Sequence, residues 1–348
     1  MALAYDSLQA VIQSKYLPKL YDNIFREDRY YTRKLIEKAK EFSGREIVVP
    51  LEYAKSANVE FTRKMDTYVL TTVDPFTAGT SEPRMLTGHL TIPIEEELMM
   101  NSAEAIDNIL QAKIRNLQSS IEYTVGTNLF NRTTNGDTGA NAHKWYNMED
   151  IHSASSTFEG IAVADMASWA AGVIDASGAS FSDDPSVEDN LLDPNSDVYI
   201  IKLLQQALAL GKHKGGDKVI VCPQYIYDLV ESILDPRKQG SKMSEKAGKF
   251  GFNLLDFRGV PIMPDDDMVA QQSGDTDGYI YVDNLDYMNM YFNKNAKFKA
   301  GKWLEPTNQN SKTMKVHTYG NLMCSNRSAQ VVIQNLRSPK SYVNTNVY

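Results

Sequence analysis

The sequence has few cysteines and none of the short motifs that identify common catalytic or metal sites. Cys222 and Cys324 are its only cysteines and lie far apart, which predicts neither a disulfide framework nor a Cys-x-x-Cys metal site. The five histidines form no His-x-x-x-His or His-x-His pair, and neither a GxxxxGK-Ser/Thr phosphate loop nor a GxSxG element occurs. We therefore expect a protein that is not an enzyme and that carries no metal and no cofactor.

Long apolar runs are also missing. No uncharged run approaches the roughly 20 apolar residues of a membrane span. The N-terminal sequence MALAYDSLQAVIQSK has no basic segment followed by an apolar core. These two absences predict a chain that does not contact a membrane and stays where it was made, and the two distant cysteines indicate that this is a reducing compartment.

Basic charge is scarce for a protein dedicated to nucleic acid. The net charge of −8 is opposite in sign to that of a typical nucleic-acid-binding domain, although incidental contact with DNA remains compatible with it. With 348 residues, of which 42% are hydrophobic and 23% charged, the chain can bury a substantial core. We expect two domains, or one domain with large extensions.

Acidic residues are concentrated in three short stretches, residues 182–197, 265–267 and 275–278. None has the Asp-x-Asp-x-Asp-Gly spacing with a distal glutamate that binds calcium in an EF-hand loop. We interpret all three as solvated surface loops.

The part of the chain with the clearest pattern is residues 102–131, which contain no proline and predict one long helix. Asn101 and Glu104 match a capping box at its start. Seven apolar residues recur at spacings of three and four, so they share one stripe of the helix: Ile106, Leu110, Ile114, Leu117, Ile121, Val125 and Leu129. The helix would be roughly 40 Å long, and its simplest interpretation is a core helix.

The segments before this helix need a partner that the local sequence does not supply. Residues 1–43 contain two amphipathic helical patterns, which must dock on the later domain or on another copy of the chain. Residues 46–94 contain two alternating stretches, 47–53 and 86–94, which predict the two legs at the base of a β-ribbon. Such a ribbon could project ~60 Å but is marginally stable by itself, which again indicates a neighbour.

The segments after the helix predict a mixed α/β domain followed by a hairpin. Residues 164–176 fit either a helix around Trp169 or a strand from Trp169 to Ile174, and both alternatives stay open. From Ser196 onward, helices at 198–210 and after Pro223 alternate with short apolar strands at 218–222, 259–263 and 278–282. Residues 295–306 and 312–324 flank a polar turn, and 329–336 form a last strand.

One loop has a strong basic bias within this acidic chain. It carries Arg237, Lys238, Lys242, Lys246 and Lys249 against the single acid Glu245. It is either a solvated loop or a loop that lines the central pore of a ring or touches nucleic acid.

The order of these elements resembles the major capsid proteins of tailed bacteriophages with the HK97-type fold. The segment KVIVCPQYIYDLV followed by FNLLDFRGVPIMPDDDM is similar to the strand-Pro-helix unit of that family and the Gly-Val-Pro-Ile strand and aspartate-rich turn after it. GKWLEP and KVHTYGNLMCSNRSAQVVIQNL, with Arg327, resemble the closing hairpin and the returning strand. This chain has no long N-terminal helical segment like a fused scaffold, which favours scaffolding by a separate protein over self-scaffolding.

The resemblance implies an α+β fold with a specific division of the chain. It comprises an N-terminal arm, an extended β-hairpin called the E-loop, a long spine helix in the P-domain, and a mixed α/β A-domain. The implied bounds are 1–43 for the arm, 44–96 for the E-loop, 97–194 for the P-domain with the spine helix at 102–131 and a possible insertion at 135–194, 195–290 for the A-domain, 291–327 for the P-domain hairpin, and 328–348 for the return strand and tail.

The implied function is that of a major capsid protein, a structural protein that self-assembles as hexamers and pentamers into an icosahedral head around double-stranded DNA. The implied partners are further copies of the chain, portal and scaffolding proteins, decoration proteins and the packaged DNA, with assembly in the cytoplasm of a bacterial host. The alternatives are an encapsulin-like shell and a stand-alone enzyme or ligand-binding protein. The residues expected at assembly interfaces are Leu8, Val11, Ile12, Ile24, Ile47, Val49, Leu51, Tyr53, Leu90, Ile92 and Trp303.

Overall fold

The computed structural model describes most of the chain from residue 30 onward. The described residues are 30–52, 59, 61–64, 76–95, 103–136, 138–176, 191–211, 216–234, 255–265, 267–268, 278–307 and 309–336. Within these ranges no helix is both long enough and apolar enough to cross a membrane. The first predicted helix, the outer part of the predicted ribbon and the basic loop lie outside the described residues.

The helices and strands alternate along the chain in an irregular order. The helices are α1 (Tyr30–Glu37), α2 (Ala103–Leu129), α3 (Met148–Ile151), α4 (Ile200–Leu210) and α5 (Gln224–Leu234), with 3₁₀ turns at Ala167–Trp169 and Arg327–Ala329. The strands are β1 (Lys40–Phe42), β2 (Ile47–Glu52), β3 (Phe76–Ser81), β4 (Arg84–Pro93), β5 (Gly172–Asp175), β6 (Lys218–Cys222), β7 (Leu255–Phe257), β8 (Val260–Pro264), β9 (Gly278–Asn284), β10 (Met288–Asn293), β11 (Lys299–Ala300), β12 (Ser311–Cys324) and β13 (Val331–Leu336).

The first sheet has five strands and is built around the long strand β12. β12 pairs antiparallel with β4 from Ser311 to Gly320 and antiparallel with β10 from Gly320 to Cys324. The short β11 pairs antiparallel with β12, and β1 pairs parallel with β10. This sheet therefore joins segments from the beginning, the middle and the end of the chain.

The second sheet has six strands in the order β5-β13-β9-β6-β8-β7. Side chains of β9 alternate between two cores, since Tyr279 and Tyr281 point to one cluster and Ile280 and Val282 to the other. Helices α4 and α5 pack on the second of these faces, where they contact β5, β13 and β8. The sheet is thus buried on both faces.

The ribbon consists of β2 and β3, which differs from the expected pairing of residues 47–53 with 86–94. Ile47 pairs with Ser81 and Glu52 with Phe76, whereas β4 pairs along its whole length with β12. An alternating pattern specifies which face of a strand is apolar, but it does not specify the partner strand. The expected second leg was therefore assigned to the wrong strand.

Strand pairing also crosses two of the expected segments, whose bounds themselves stay predictions. In residues 164–176, a 3₁₀ turn at Trp169 is followed by the strand β5, which pairs parallel with β13. Residues 172–175 of the expected 135–194 insertion are therefore part of the six-stranded sheet. At the other end of the expected 195–290 domain, β10 belongs to the five-stranded sheet. Both differences arise from pairings with strands far away in the sequence.

The long helix α2 lies across β4 at close range. Its described stripe residues are buried, as the spacing predicted: Ile114, Leu117, Ile121, Val125 and Leu129. A Cβ atom on Gly88 of β4 would lie 2.9 Å from Cδ1 of Leu117 and 3.2 Å from Cδ1 of Ile121. The absence of a side chain at Gly88 thus lets the helix pack directly against the strand.

We predict that Ile121→Ala will destabilise the chain by about 2–5 kcal/mol, because it removes a buried side chain and leaves a cavity against β4. The matched control is Ser119→Ala, an exposed position on the same helix, where a change within about 0.5 kcal/mol is expected. Urea unfolding followed by tryptophan fluorescence measures both. Equal stability of the two variants would contradict the packing described for α2.

Candidate functional site

The inward face of the ribbon is covered by the chain itself. Ile47, Val49 and Leu51 are only 1%, 5% and 5% exposed and belong to the same core cluster as α2. These side chains are buried within a single chain, and their expected role at an assembly interface stays a prediction. Leu90 is buried in the same cluster.

The outward face of the ribbon carries apolar side chains that the described part of the chain leaves exposed. The register places Val48 opposite Thr80, Pro50 opposite Ala78, and Glu52 opposite Phe76 on this face. Val48 is 57% exposed and Phe76 is 65% exposed. Val48 and Phe76 are not among the interface residues expected from the sequence, although the alternating pattern of β2 that predicts its inward face also places Val48 on the opposite face.

Further exposed apolar residues lie near the ribbon in sequence and on the body of the chain. Val59 and Phe61 are almost fully exposed. Met85 and Tyr123, 58% and 57% exposed, line a groove of about 370 Å³ whose base includes Trp145. We refer to this groove as the Met85–Tyr123 groove. Within the described residues, one apolar surface thus lies on the ribbon and another lies between β4 and α2, apart from the exposed side chains of Leu210 and Leu304.

The ribbon is held on the body by Glu159. The Thr80 amide of β3 donates a 3.1 Å hydrogen bond to the Glu159 carbonyl. Glu159 Oε1 accepts a 2.7 Å bond from the Cys324 amide at the end of β12. A Cβ atom on Gly79 would overlap the Glu159 carboxylate, so the glycine permits this close approach.

A second anchor joins the ribbon to β12. Asn321 Nδ2 donates a 2.9 Å hydrogen bond to Ser81 Oγ at the end of β3. Its Oδ1 accepts 2.8 and 2.9 Å bonds from the Tyr146 and Leu322 amides. Both anchors act on β3, near its end at Ser81, and fix this strand of the ribbon to the body.

Helix α1 is attached to the body through the buried carboxylate of Asp283. The Tyr31 hydroxyl donates a 2.5 Å hydrogen bond to Asp283 Oδ2, and His152 Nε2 lies 2.6 Å from Asp283 Oδ1. Burial, together with Asp283, raises the pKa of the Tyr31 hydroxyl well above its ordinary value. The hydroxyl therefore remains a hydrogen-bond donor at any physiological pH.

The outer side of α1 is attached by ion pairs. Lys34 and Lys38 lie 2.9 and 2.8 Å from the Asp217 carboxylate, and Lys38 also lies 3.5 Å from Asp286. Burial by itself would raise the pKa of Asp217, but the hydrogen bonds from Lys38 and Lys34 outweigh it and lower the pKa. Docking of α1 thus depends on the ionised form of Asp217.

Arg327 organises the segment on which the Asp283 contact depends. Its side chain is fully buried, and it donates hydrogen bonds of 2.8, 3.1 and 2.6 Å to the carbonyls of Ile151, Asp150 and Ser153. A fourth bond of 3.0 Å goes to the Ser156 carbonyl. Burial lowers the pKa of the guanidinium to about 10, so it remains charged at neutral pH.

The remaining residues expected at interfaces or in the basic loop are either partly buried or outside the described residues. Ile92 and Trp303 are partly buried against the main core. Leu8, Val11, Ile12, Ile24 and Tyr53 lie outside the described residues, as does the whole basic loop: Arg237, Lys238, Lys242, Lys246 and Lys249. Their roles stay predictions.

The side chains of Asp265 and Asp267 are buried, whereas the sequence predicted a solvated loop at 265–267. Asp265 and Asp267 are 1% and 3% exposed, rather than solvated, because this turn packs against α2 at Gly126. Within the described residues, no group of three or more His, Cys, Asp or Glu side chains is arranged to hold a metal ion. Burial raises the pKa of the Cys222 thiol, and it raises that of Cys324 to about 12, which suppresses the thiolate form that a nucleophile requires.

The fold was compared with known proteins. No protein-family model and no curated protein matches the sequence. The structure of the cyanophage A-1(L) capsid asymmetric unit matches 91% of this chain and 95% of its own, with a TM-score of 0.58 and 11% identity. The capsid of the native GTA particle matches 88% of this chain and 90% of its own, with a TM-score of 0.58 and 12% identity. The fold is that of the HK97-type capsid proteins.

The same fold occurs in a shell of another kind. The holo-SrpI encapsulin complex from Synechococcus elongatus matches 97% of both chains, with a TM-score of 0.54 and 12% identity. Of the α+β fold implied by the resemblance to HK97-type capsid proteins, the overall architecture is confirmed: a mixed structure of helices and several sheets that matches capsid folds. At such low identity the likeness describes the fold, and the HK97-type fold is shared by phage capsids and encapsulins alike.

We predict that acid will loosen the docking of α1 on the capsid fold. Because the pKa of Asp217 is lowered in the folded chain, its ion pairs stabilise docking above the pKa of a free carboxyl, about 3.9. That stabilisation is lost as the pH falls through the lowered value. Hydrogen exchange of residues 30–37, corrected for the intrinsic pH dependence, should increase more than exchange of β12 between pH 6 and pH 3.

Asp217→Asn should already show fast exchange of residues 30–37 at pH 6 and should lose most of the further response to acid. Asp165→Asn, at an exposed position, is the matched control and should behave like the unmodified chain. Slow, pH-independent exchange of α1 in Asp217→Asn would show that the ion pairs do not hold this helix.

Proposed function

We propose that this chain is the subunit of a closed protein shell, the major capsid protein of a tailed bacteriophage that assembles as hexamers and pentamers around double-stranded DNA. The fold it shares with capsid subunits over about nine-tenths of the chain supports this function. The observation that carries it is the outward face of the ribbon. The outward face exposes Val48 and Phe76. The opposite face of the ribbon is buried against the body of the chain, so the exposed face has a fixed position in which a neighbour can bind it.

The two apolar surfaces suit assembly into rings. A head-to-tail contact joins two different patches, and when its rotation closes it produces a ring, as required for hexamers and pentamers. The outward ribbon face and the Met85–Tyr123 groove are such a pair of different patches on one chain. We propose that the outward ribbon face of one subunit binds the Met85–Tyr123 groove of the next subunit.

The parts of the capsid fold can be assigned to the described elements. The ribbon β2–β3 corresponds in this proposal to the E-loop, α2 to the spine helix, and α1 to part of the N-terminal arm. The six-stranded sheet with α4 and α5 corresponds to the A-domain, and β12 with its neighbours to the P-domain. The mechanism of assembly is geometric, because identical chains use the same contacts in the slightly different environments of hexamers and pentamers.

An encapsulin-like shell is the second candidate, since the holo-SrpI encapsulin complex matches 97% of both chains. The two candidates differ in what the shell contains and in the other proteins it needs. The phage function implies a portal, a separate scaffolding protein, DNA contacted without sequence specificity, and assembly in the cytoplasm of a bacterial host, with decoration proteins as an optional addition. Nucleic acid in purified particles, measured by the ratio of absorbance at 260 and 280 nm, distinguishes the phage head from a protein-filled compartment.

We predict that the expressed chain will form shells, rings or tubes visible by negative-stain electron microscopy. The double variant Val48→Asp/Phe76→Asp should remain folded, because both positions are exposed, but should sediment mainly as small species, because charge on the ribbon face opposes its burial by a neighbour. The matched control Val48→Ile/Phe76→Leu keeps the face apolar and should assemble normally.

Two results would contradict the proposal at different levels. A compact monomer at high concentration for the unmodified chain would exclude a shell subunit. Normal particles from the Val48→Asp/Phe76→Asp variant would retain the shell but remove the ribbon face from its interfaces.

The basic loop has a separate expected role at a ring axis or on the packaged DNA. Replacing Lys238, Lys242, Lys246 and Lys249 with glutamine should lower the yield of closed or filled particles, because it removes the positive charge that would face DNA or the axis. The matched control replaces four lysines elsewhere on the chain, Lys113, Lys294, Lys299 and Lys302. An unchanged yield of filled particles from the loop variant would contradict this role.

A further inference from the structure

A small cavity lies where residues 149–154 cross the six-stranded sheet. Its volume is about 170 Å³. Its floor is formed by side chains of β5, β9 and β13, and its rim by the end of α2 and the segment held by Arg327. The lining includes Arg132, Glu149, His152, Tyr279, Tyr281 and Gln334. No residue that lines this cavity belongs to the ribbon or to the Met85–Tyr123 groove, so the cavity is a separate feature of the chain.

Part of the lining is fixed by bonds within the chain. His152 uses both ring nitrogens, Nδ1 at 2.8 Å from the Met148 carbonyl and Nε2 on Asp283. The Tyr279 hydroxyl donates a 3.0 Å hydrogen bond to the Phe130 carbonyl. Ser153 Oγ accepts from the amides of Ser155 and Ser156. These groups form a rigid wall and have little capacity left for a ligand.

Four other polar side chains at the cavity are different. Within the described part of the chain, the side chains of Arg132, Glu149, Tyr281 and Gln334 form no hydrogen bond with another residue. Tyr281 is only 1% exposed, and its hydroxyl reaches the cavity, where it has no hydrogen-bond partner in the described chain. A hydroxyl in that position bonds only to what the cavity holds, a water or a ligand. Arg132 is exposed and Glu149 and Gln334 are partly exposed, so all four groups are accessible to a molecule that enters the cavity.

The charges on the rim define what kind of occupant fits. Arg132 presents a guanidinium, whose position is partly set by stacking over the Tyr279 ring at 5.5 Å. Glu149 presents a carboxyl group; burial raises its pKa, and the positive charge of Arg132 opposes that rise. A guanidinium and a carboxylate that face one small space complement a molecule that carries both charges itself.

The volume limits the size of such a molecule. Sites for drug-sized ligands usually measure roughly 300–1,000 Å³, so a cavity of about 170 Å³ takes a ligand of few heavy atoms. Nucleotides are too large. A water molecule occupies about 30 Å³ in the liquid, so an ordered water cluster is the competing occupant.

We propose that this cavity is a binding site for a small zwitterion of amino-acid size. Arg132 binds the carboxylate of the ligand, Glu149 binds its ammonium group, and Tyr281 and Gln334 provide hydrogen bonds at the floor. The proposal stands independently of the shell function, because the site is formed within one chain.

The test is isothermal titration calorimetry of the full chain with glycine, L-alanine and L-glutamine as probes. Acetate and methylammonium serve as probes that carry only one of the two charges. We expect at least one zwitterion to bind saturably and at least tenfold more tightly than either single-charge probe. Arg132→Gln and Glu149→Gln should each weaken that binding about tenfold or more, since each removes a charge-assisted hydrogen bond.

Tyr281→Phe tests the floor of the site with minimal disturbance, because it removes only a hydroxyl that has no partner in the described chain. It should weaken the zwitterion several-fold without lowering the unfolding temperature. Arg115→Gln and Asp165→Asn, at exposed positions away from the cavity, are matched controls and should leave binding unchanged.

Three outcomes would overturn the proposal. The first is the absence of saturable binding for every zwitterion, which would leave water as the occupant. The second is equal affinity for acetate or methylammonium, which would show that the paired charges are not used together. The third is undiminished binding in both Arg132→Gln and Glu149→Gln. Because binding is measured per chain, a failure to form shells leaves this test unaffected.

Discussion

The buried guanidinium of Arg327 is the contact on which the other functional parts depend. It carries five N–H donors in a fixed plane, and these hold the carbonyls of residues 150, 151, 153 and 156 around one point in the core. A segment with so many inward carbonyls would otherwise bury acceptors at a high cost. With the guanidinium present, the segment has one conformation, and its side chains have defined positions.

Two sets of contacts extend from this segment to the surface. His152 reaches Asp283, which in turn accepts the hydrogen bond of Tyr31 and so locates helix α1. Glu159 follows a few residues later and connects the end of β12 to the third strand, which forms the ribbon. Buried ionic groups add little net stability, owing to their desolvation cost. Here the buried ionic groups fix positions, because they determine where helix α1 and the ribbon are attached to the body of the chain.

Local patterns predicted the kinds of element well and their partners poorly. The apolar stripe of α2 and the strand at Lys218–Cys222 followed directly from spacing and from the proline after the strand. The second leg of the ribbon was misplaced, because β3 contains Gly79 and small polar residues and has no strong alternating signal. The alternating pattern of β2 likewise shows which side chains share a face, but it does not show that Val48 lies on the exposed face.

The sequence by itself determined which segments are helical or extended, which of their faces are apolar, and an order of elements that correctly indicated the capsid fold. Only the tertiary structure decided which apolar faces the chain covers itself and which remain exposed. It alone also brought together Tyr31 with Asp283, 252 positions apart, and Arg327 with Asp150, 177 positions apart. The physical reason is that periodicity reflects local backbone geometry, whereas a strand partner or a buried hydrogen-bond partner is selected by proximity after the chain has folded.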